Sequence, residues 1–216
     1  ISPTEATNIA STKYVKADVD FLKGMIVHHQ QAIVMSQLAA KRTNNKTIID
    51  LANRIDSSQE DEIDFMRSWL ESRDEKPDME HAHHHMKMVG MASPEELQQL
   101  RDSDSTEFDK LFLQLMINHH DGALEMVKDL KQYPGTAYDS ILNEFISELV
   151  NDQGVEIERM NGIAVNLSDD PRSSLAPGLN DAEQAILNLE LVTSLKKPVG
   201  FYDPTNPKAK GVKDPT

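Results

Sequence analysis

The chain has no cysteine among its 216 residues. That excludes disulfides, thiolate metal sites and cysteine-ligated iron–sulfur clusters. Aromatic residues are scarce at 5%, against 38% hydrophobic residues overall, a balance that suits a helical globule better than a β-sandwich. Positive charge is also short, with 22 Lys and Arg against 36 Asp and Glu, for a net charge of −14. Nucleic acid needs a basic footprint on its partner, and so does an anionic membrane surface, so the charge argues against both. No apolar run reaches membrane-spanning length. The chain opens at Ile1 rather than Met, and the expectation is that a signal peptide has been removed from an exported protein, periplasmic or extracellular.

What the chain has instead is 10 Met and 8 His, and they are not scattered. Met25-Ile26-Val27-His28-His29-Gln30-Gln31-Ala32-Ile33-Val34-Met35 returns as Met116-Ile117-Asn118-His119-His120-Asp121-Gly122-Ala123-Leu124-Glu125-Met126. The offset is 91 at matched positions (116 − 25 and 126 − 35). A second echo follows: Gln59, Glu62, Ile63 and Met66 match Gln153, Glu156, Ile157 and Met160 at an offset of 94 (153 − 59).

The apolar spacing around these motifs is helical. Phe21, Met25, His28, His29, Ala32, Met35 and Ala39 fall on one stripe at about 100° per residue, which predicts a helix from about Val15 to Lys41. Ile48, Leu51, Ile55, Ile63, Met66 and Leu70 predict a second, about Lys46 to Glu71, after the turn signal Thr43-Asn44-Asn45. Ser93-Pro94-Glu95-Glu96 reads as a capped start of a short helix ending near Asp102. Two further long helices are expected at about Thr106 to Gln132 and Ala137 to Gly162, separated by the stop Tyr133-Pro134-Gly135.

Each repeat is then a helical hairpin, about 15–71 and 106–163. Two hairpins, joined by a segment at 78–103, make an all-α four-helix bundle at 14–164. Residues 165–216 hold Pro171, Pro177, Pro198, Pro204, Pro207 and Pro215 and are expected to form an extended tail or linker, with a short helix at about Asp181 to Leu195.

Thioethers and imidazoles are donors that Cu(I) and Ag(I) favour in low coordination numbers. On a helix, Met25 to His28 and Met25 to His29 are steps of three and four, and His28 to Met35 a step of seven, which puts all four on one face. A di-iron bundle centre needs inward glutamates and a Glu-x-x-His step, whereas here Met25 and Met116 stand where that glutamate belongs. Glu62 and Glu156 recur on the stripe and have three readings: hydrogen-bond partners of ligating imidazoles, a structural buried pair, or solvated side chains. A histidine on an apolar helix face is ordinarily a hydrogen-bonded core residue, and Met66, Met126 and Met160 are ordinary gap-fillers. Two matched Met-His-His-Met sets point beyond that reading.

Between the hairpins, Met79, His81, His83, His84, His85, Met86, Met88 and Met91 crowd into one stretch, a compositional signal for metal binding. Clustered histidines also take Zn(II), Ni(II) or Cu(II). Imidazole must be neutral to ligate, so binding through histidine is expected to weaken below about pH 6.

The strings FLKGMIVHHQQAIVMS, GMASPEEL and FDKLFLQLMINHHDGALEM, with the two QxxEIxxM pieces, closely resemble the family catalogued as domain of unknown function 305, over about Asp18 to Gly162. The resemblance implies a ferritin-like four-helix bundle, usually exported, with relatives implicated in copper binding and resistance. Carried over by position, the implied ligands are Met25, His28, His29, Met35, Met116, His119, His120 and Met126, with the His81 to Met91 segment beside them. The tail from Asp170 to Phe201 resembles, more weakly, the lead-in to LVIVD-repeat β-propeller proteins, a resemblance that implies as an expectation the N-terminal portion of a larger exported protein.

The expected function is therefore non-enzymatic. An exported protein would sequester or transfer copper, chiefly Cu(I), with Cu(II), Ag(I) or Zn as alternatives, and another copper protein as donor or acceptor. Two alternatives stand beside it: a redox enzyme with a dinuclear metal centre that includes Glu62 and Glu156, and an interaction module that metal merely stabilises.

Overall fold

The computed structural model describes Ser2, residues 14–75 and residues 88–168. By contact the chain divides into Ile1–Asp169 and Asp170–Thr216, and every described helix belongs to the first unit. The expected tail beyond residue 168, its short helix and the LVIVD-like stretch lie outside the described residues, as do Met79, His81, His83, His84, His85 and Met86.

The described helices are α1 (Lys16–Ser36), α2 (Ala39–Arg42), α3 (Lys46–Glu71), α4 (Pro94–Asp102), α5 (Ser105–Leu130) and α6 (Ser140–Asn166). The four long ones form the all-α bundle, with α1 packed on α3, α5 on α6, and α1 on α5. The α1 and α5 helices run antiparallel. Val19, Phe21 and Leu22 from the start of α1 share a core cluster with Ala123, Met126 and Leu130 from the end of α5. Ala32 and Met35 share the other cluster with Phe108 and Phe112. Phe65 of α3 stacks on Phe145 of α6, ring centroids 4.3 Å apart, which closes the fourth side.

Sequence explains most of the helix ends. Asn45 caps α3 by accepting from the Thr47 N–H at 3.1 Å. Its counterpart 94 residues on (139 − 45), Asp139, caps α6 by accepting from Ile141 and Leu142 at 3.1 and 3.0 Å. Ser93 and Glu96 form the expected capping box on α4, with the Glu96 N–H donating to Ser93 Oγ at 3.2 Å and the Ser93 N–H to Glu96 Oε2 at 2.7 Å.

Three ends depart from expectation. The first helix stops at Ser36, five residues before Lys41, because the Leu38 N–H bonds back three residues to Met35 O at 3.2 Å. That tightens the turn and breaks the α ladder before α2 resumes it. The last helix begins at Ser140 rather than Ala137, whose φ of 52° is left-handed and cannot continue a helix. It also runs past Gly162 to Asn166; a Cβ at Gly162 would meet nothing within 4 Å, so this glycine marks no close approach.

The duplication reaches further than the two sequence motifs. Asp18 and Asp109 are counterparts at the 91 offset (109 − 18), and both are buried. Asp18 Oδ1 accepts from the Ala137 N–H at 2.8 Å, in the turn of the second hairpin. Asp109 Oδ2 accepts from Asn45 Nδ2 at 2.8 Å, in the turn of the first. Each hairpin thus holds the other's turn. Burial pushes the Asp18 carboxyl above its ordinary range, opposed by the Val15 and Ala137 N–H groups that donate to it.

Candidate metal centre

The four motif histidines lie at the middle of the bundle, and all are fully buried, at 0% exposure. His29 Nε2 bonds Glu62 Oε2 of α3 at 2.5 Å, and His120 Nε2 bonds Glu156 Oε2 of α6 at 2.7 Å. These bonds exclude the solvated reading of Glu62 and Glu156, both of which are held against an imidazole. Glu156 also stands 3.7 Å from Arg54 Nε.

His28 and His119 are held differently. Nε2 of His28 meets Val89 O at 3.0 Å, and Nε2 of His119 meets His28 O at 2.7 Å. A carbonyl oxygen can only accept, so both rings must carry their proton on Nε2. The bonds to Glu62 and Glu156 place an Nε2 proton on His29 and His120 as well. A neutral ring held in this way carries its lone pair on Nδ1. All four Nδ1 atoms are buried and have no hydrogen-bond partner. So do Gln59 Nε2, Gln59 Oε1 and Gln153 Oε1. A buried polar atom left unpaired costs on the order of 1–3 kcal/mol, and native cores rarely collect several together.

Sulfur surrounds this layer. Met25, Met35, Met66, Met116 and Met160 are 0% exposed, and Met126 is 1%. One core cluster holds Met25, Met66 and Met126; the other holds Met35, Met116 and Met160. This corrects the reading that put Met25, His28, His29 and Met35 together in one set. They share a face of α1, but ten residues of helix rise about 15 Å, and the two thioethers end in opposite halves of the core. Met25 instead shares a cluster with Met126 of the other hairpin, and Met35 with Met116.

Of the His/Met-rich segment, Met88 packs against the first core cluster, and half-buried Met91 lines an open groove with Asn118 and Glu125. The residues between form a strap. Gln31 grips Ala92 in both directions, donating to its carbonyl at 3.0 Å and accepting from its N–H at 2.7 Å. Val89 lies against α5 so closely that a Cβ on Gly122 would stand 2.0 Å from Val89 O. Gly122→Ala is therefore expected to destabilise the fold by about 1–3 kcal/mol and to lift the strap from His28. Loss of amide-exchange protection at residues 89–92 checks this.

Burial drives the His28 pKa down to about 3, assisted by the neighbouring His29, with the Val89 carbonyl opposing. Burial also holds His119 well below the ordinary histidine range, with His28 adding to the shift. The sequence-level expectation of proton competition below about pH 6 does not apply to these two rings, which stay neutral at far lower pH.

Among the described residues, no group of three or more His, Asp or Glu side chains comes together as a metal site. The sequence singled out the eight Met and His positions. It gave Gln59 and Gln153 no role, although their constant offset was the signal that they mattered, and it left Met66 and Met160 as gap-fillers.

These features define a duplicated, ferritin-like four-helix bundle with a buried layer of imidazoles flanked by thioethers. The chain belongs to the family described as Domain of unknown function (DUF305), whose model matches residues 18–164. A candidate secreted protein of the family from Streptomyces coelicolor is similar in structure, with a TM-score of 0.63 and 28% identity over 70% of this chain and 93% of that one. CopM, solved in Cu(II)-bound, Cu(I)-bound and Ag-bound forms, is similar at TM-scores of 0.53, 0.54 and 0.52. Its identity is 26%, over 69% of this chain and, for the Cu(II)-bound form, 97% of that one. Uncharacterized protein L153 of Acanthamoeba polyphaga mimivirus is 45% identical over 56 residues, 26% of this chain. That match spans only 37% of the viral protein's length. No helix among the described residues is long and apolar enough to cross a membrane.

Proposed function

We propose that this chain binds copper, Cu(I) above all, inside the bundle, and serves as an exported copper-sequestering or copper-transferring protein in copper homeostasis or resistance. The observation that carries this reading is the set of four buried imidazoles. Each has Nε2 engaged and Nδ1 unpartnered, in a core that also buries six thioethers. Neutral imidazole and thioether are donors for a soft monovalent ion, and neither adds negative charge to a buried site. Glu62 and Glu156 orient His29 and His120 and raise the donor strength of Nδ1. CopM's copper and silver forms support the choice of metal, and the secreted relative supports export. His81, His83, His84, His85, Met79 and Met86 would capture the ion, Cu(II) and Zn included, and another copper protein would supply or receive it.

The protein acts in this reading without catalysing a reaction. The dinuclear redox alternative would need a third carboxylate or imidazole beside the His29–Glu62 or His120–Glu156 pair, and sustained oxygen consumption by the copper-loaded protein would favour it. The reading itself is tested by titrating metal-free protein with Cu(I) and Ag(I) against a competing chelator. The capture segment is best altered by substitution, with the four histidines changed to Asn and Met79 and Met86 to Leu. Deleting 79–91 would also remove Val89 and with it the hydrogen bond to His28. Tight binding is expected to survive those substitutions and to fall at least tenfold when His28→Gln and His119→Gln are added; complete loss on the segment substitutions alone would move the function out of the bundle.

A further inference from the structure

We infer that the strap at residues 88–92 is a gate latched by Gln31, and that its opening sets how fast a small cation enters and leaves the bundle. This rests on the copper reading above and adds to it a route and a rate-controlling element.

The strap breaks the internal symmetry at one matched pair. Gln31 of the first hairpin and Gly122 of the second are counterparts at the 91 offset (122 − 31). Gln31 holds Ala92 by both its carbonyl and its N–H. Gly122 instead leaves the room that the strap fills: a Cβ there would stand 2.0 Å from Val89 O and 2.9 Å from Gly90 Cα. A Cβ on Gly90 would in turn meet Asn118 O at 2.2 Å, so the strap lies this close to α5 only because neither position has a side chain. The histidines differ in the same sense. Nε2 of His28 meets Val89 O of the strap, whereas Nε2 of its counterpart His119 meets His28 O. The duplicated core thus carries one strap, on the side of His28.

Its thickness and its fastenings make this segment the movable part of the wall. Val89 and Gly90 line an open groove on their outer side, and Val89 O touches fully buried His28 on the inner side. One residue separates His28 from solvent there. Among the described residues, no backbone–backbone hydrogen bond ties 88–92 to the helices. The strap is fastened by three bonds from the His28 and Gln31 side chains, with Met88 packed on the core beside them. The long helices carry their own main-chain ladders, and segments without such ladders open locally at lower free energy. The competing way in runs past Glu62 or Glu156, whose side chains are 13% and 10% exposed. An ion passing there must break a carboxylate–imidazole bond between two packed helices. A strap closed in the free and the loaded protein alike slows entry and exit by one factor, and that factor cancels from the affinity.

Two substitutions test this in the full chain carrying the substituted capture segment. Gln31→Leu removes both bonds to Ala92, and Gln31→Glu keeps the acceptor while losing the donor. Gln31→Leu is expected to raise the Cu(I) and Ag(I) association and dissociation rates together, by about tenfold or more, with Kd little changed; Gln31→Glu should fall between it and the parent. Exchange of the Ala92 amide should accelerate in the same order while the amides of α5 stay protected. In metal-free protein, diethyl pyrocarbonate, which carbethoxylates neutral imidazole, should label His28 faster in that order, read by peptide mass. Faster Ala92 exchange without faster metal exchange or His28 labelling would put the entrance elsewhere and overturn the gate. A Kd that weakens in step with the dissociation rate, at an unchanged association rate, would overturn it too, and an unchanged Ala92 amide would remove Gln31 as the latch. A parent that binds no metal while His28 labelling follows the series would overturn the copper reading and leave the strap as the entrance to the core.

Discussion

Replacing Glu62 and Glu156 together by glutamine is expected to weaken Cu(I) binding in the bundle by about 10–100-fold. The effect comes from proton placement. An ionised carboxylate can only accept, so Glu62 and Glu156 keep the proton of His29 and His120 on Nε2 and the lone pair on Nδ1. Glutamine has nearly the same size but two faces. With its oxygen toward the ring, the bond survives while the charge that strengthens Nδ1 as a donor is lost. With its nitrogen toward the ring, Nε2 must accept, the proton moves to Nδ1, and the ligating atom is masked. Both orientations weaken binding. Glu156 shares its charge with Arg54 whereas Glu62 has no such partner among the described residues, so Glu62→Gln alone should have the larger effect of the two. Chelator competition on the segment-substituted protein measures it, and affinities equal to the parent's would remove both carboxylates from the site.

Acid should destabilise the metal-free protein steeply, beginning near pH 6.5. The sign follows from the depressed histidines. His28 takes up a proton in the unfolded chain near the ordinary histidine value of 6.5 but in the folded protein only at about 3. Between those values the unfolded state binds one more proton, so stability falls as pH falls, by about 1.4 kcal/mol per pH unit. His119 is shifted the same way, and the two together give roughly 2.7 kcal/mol per unit. Set against a typical stability of about 5–15 kcal/mol, that is enough to unfold the bundle within a few units. Asp18, whose carboxyl is raised by burial, works in the opposite direction and softens the slope at its acid end. Urea unfolding at pH 7.5, 6, 5 and 4 gives the slope directly; a stability flat from pH 7.5 to 5 would contradict it. His28→Asn with His119→Asn should remove most of it.

The architecture was legible because helical periodicity and repeat offsets both survive in one dimension. The span Lys46–Glu71 and the Ser93 cap emerge as read. The α1 break at Ser36 was not readable, since no glycine or proline marks it and Leu38 and Ala39 continue the apolar pattern through the tightened turn. In the site, angular position could be read and height could not. Periodicity gives the direction of Met25 and Met35 correctly, but says nothing of which neighbour stands level with each. That depends on the His29–Glu62 register and on the antiparallel crossing of α1 and α5, which are tertiary facts. The Val89 contact to His28 was hidden for the same reason: a backbone carbonyl has no signature in sequence. Asp18 and Asp109 could have been found, because they obey the 91 offset, but an aspartate at the start of a helix looks like an ordinary cap.

The reciprocal ties made by Asp18 and Asp109 carry one more consequence. Asp18 of the first hairpin grips the turn of the second, Asp109 of the second grips the turn of the first, and the crossing methionines follow the same exchange. A contact made by one half and returned by the other is the signature of an isologous dimer interface. The two hairpins thus meet as the subunits of a symmetric dimer do, but within one chain, so either half can differ in sequence without losing its partner. Arg54 beside Glu156, with no counterpart cation at Glu62 among the described residues, is such a divergence: a symmetric scaffold whose two halves no longer carry the same charge.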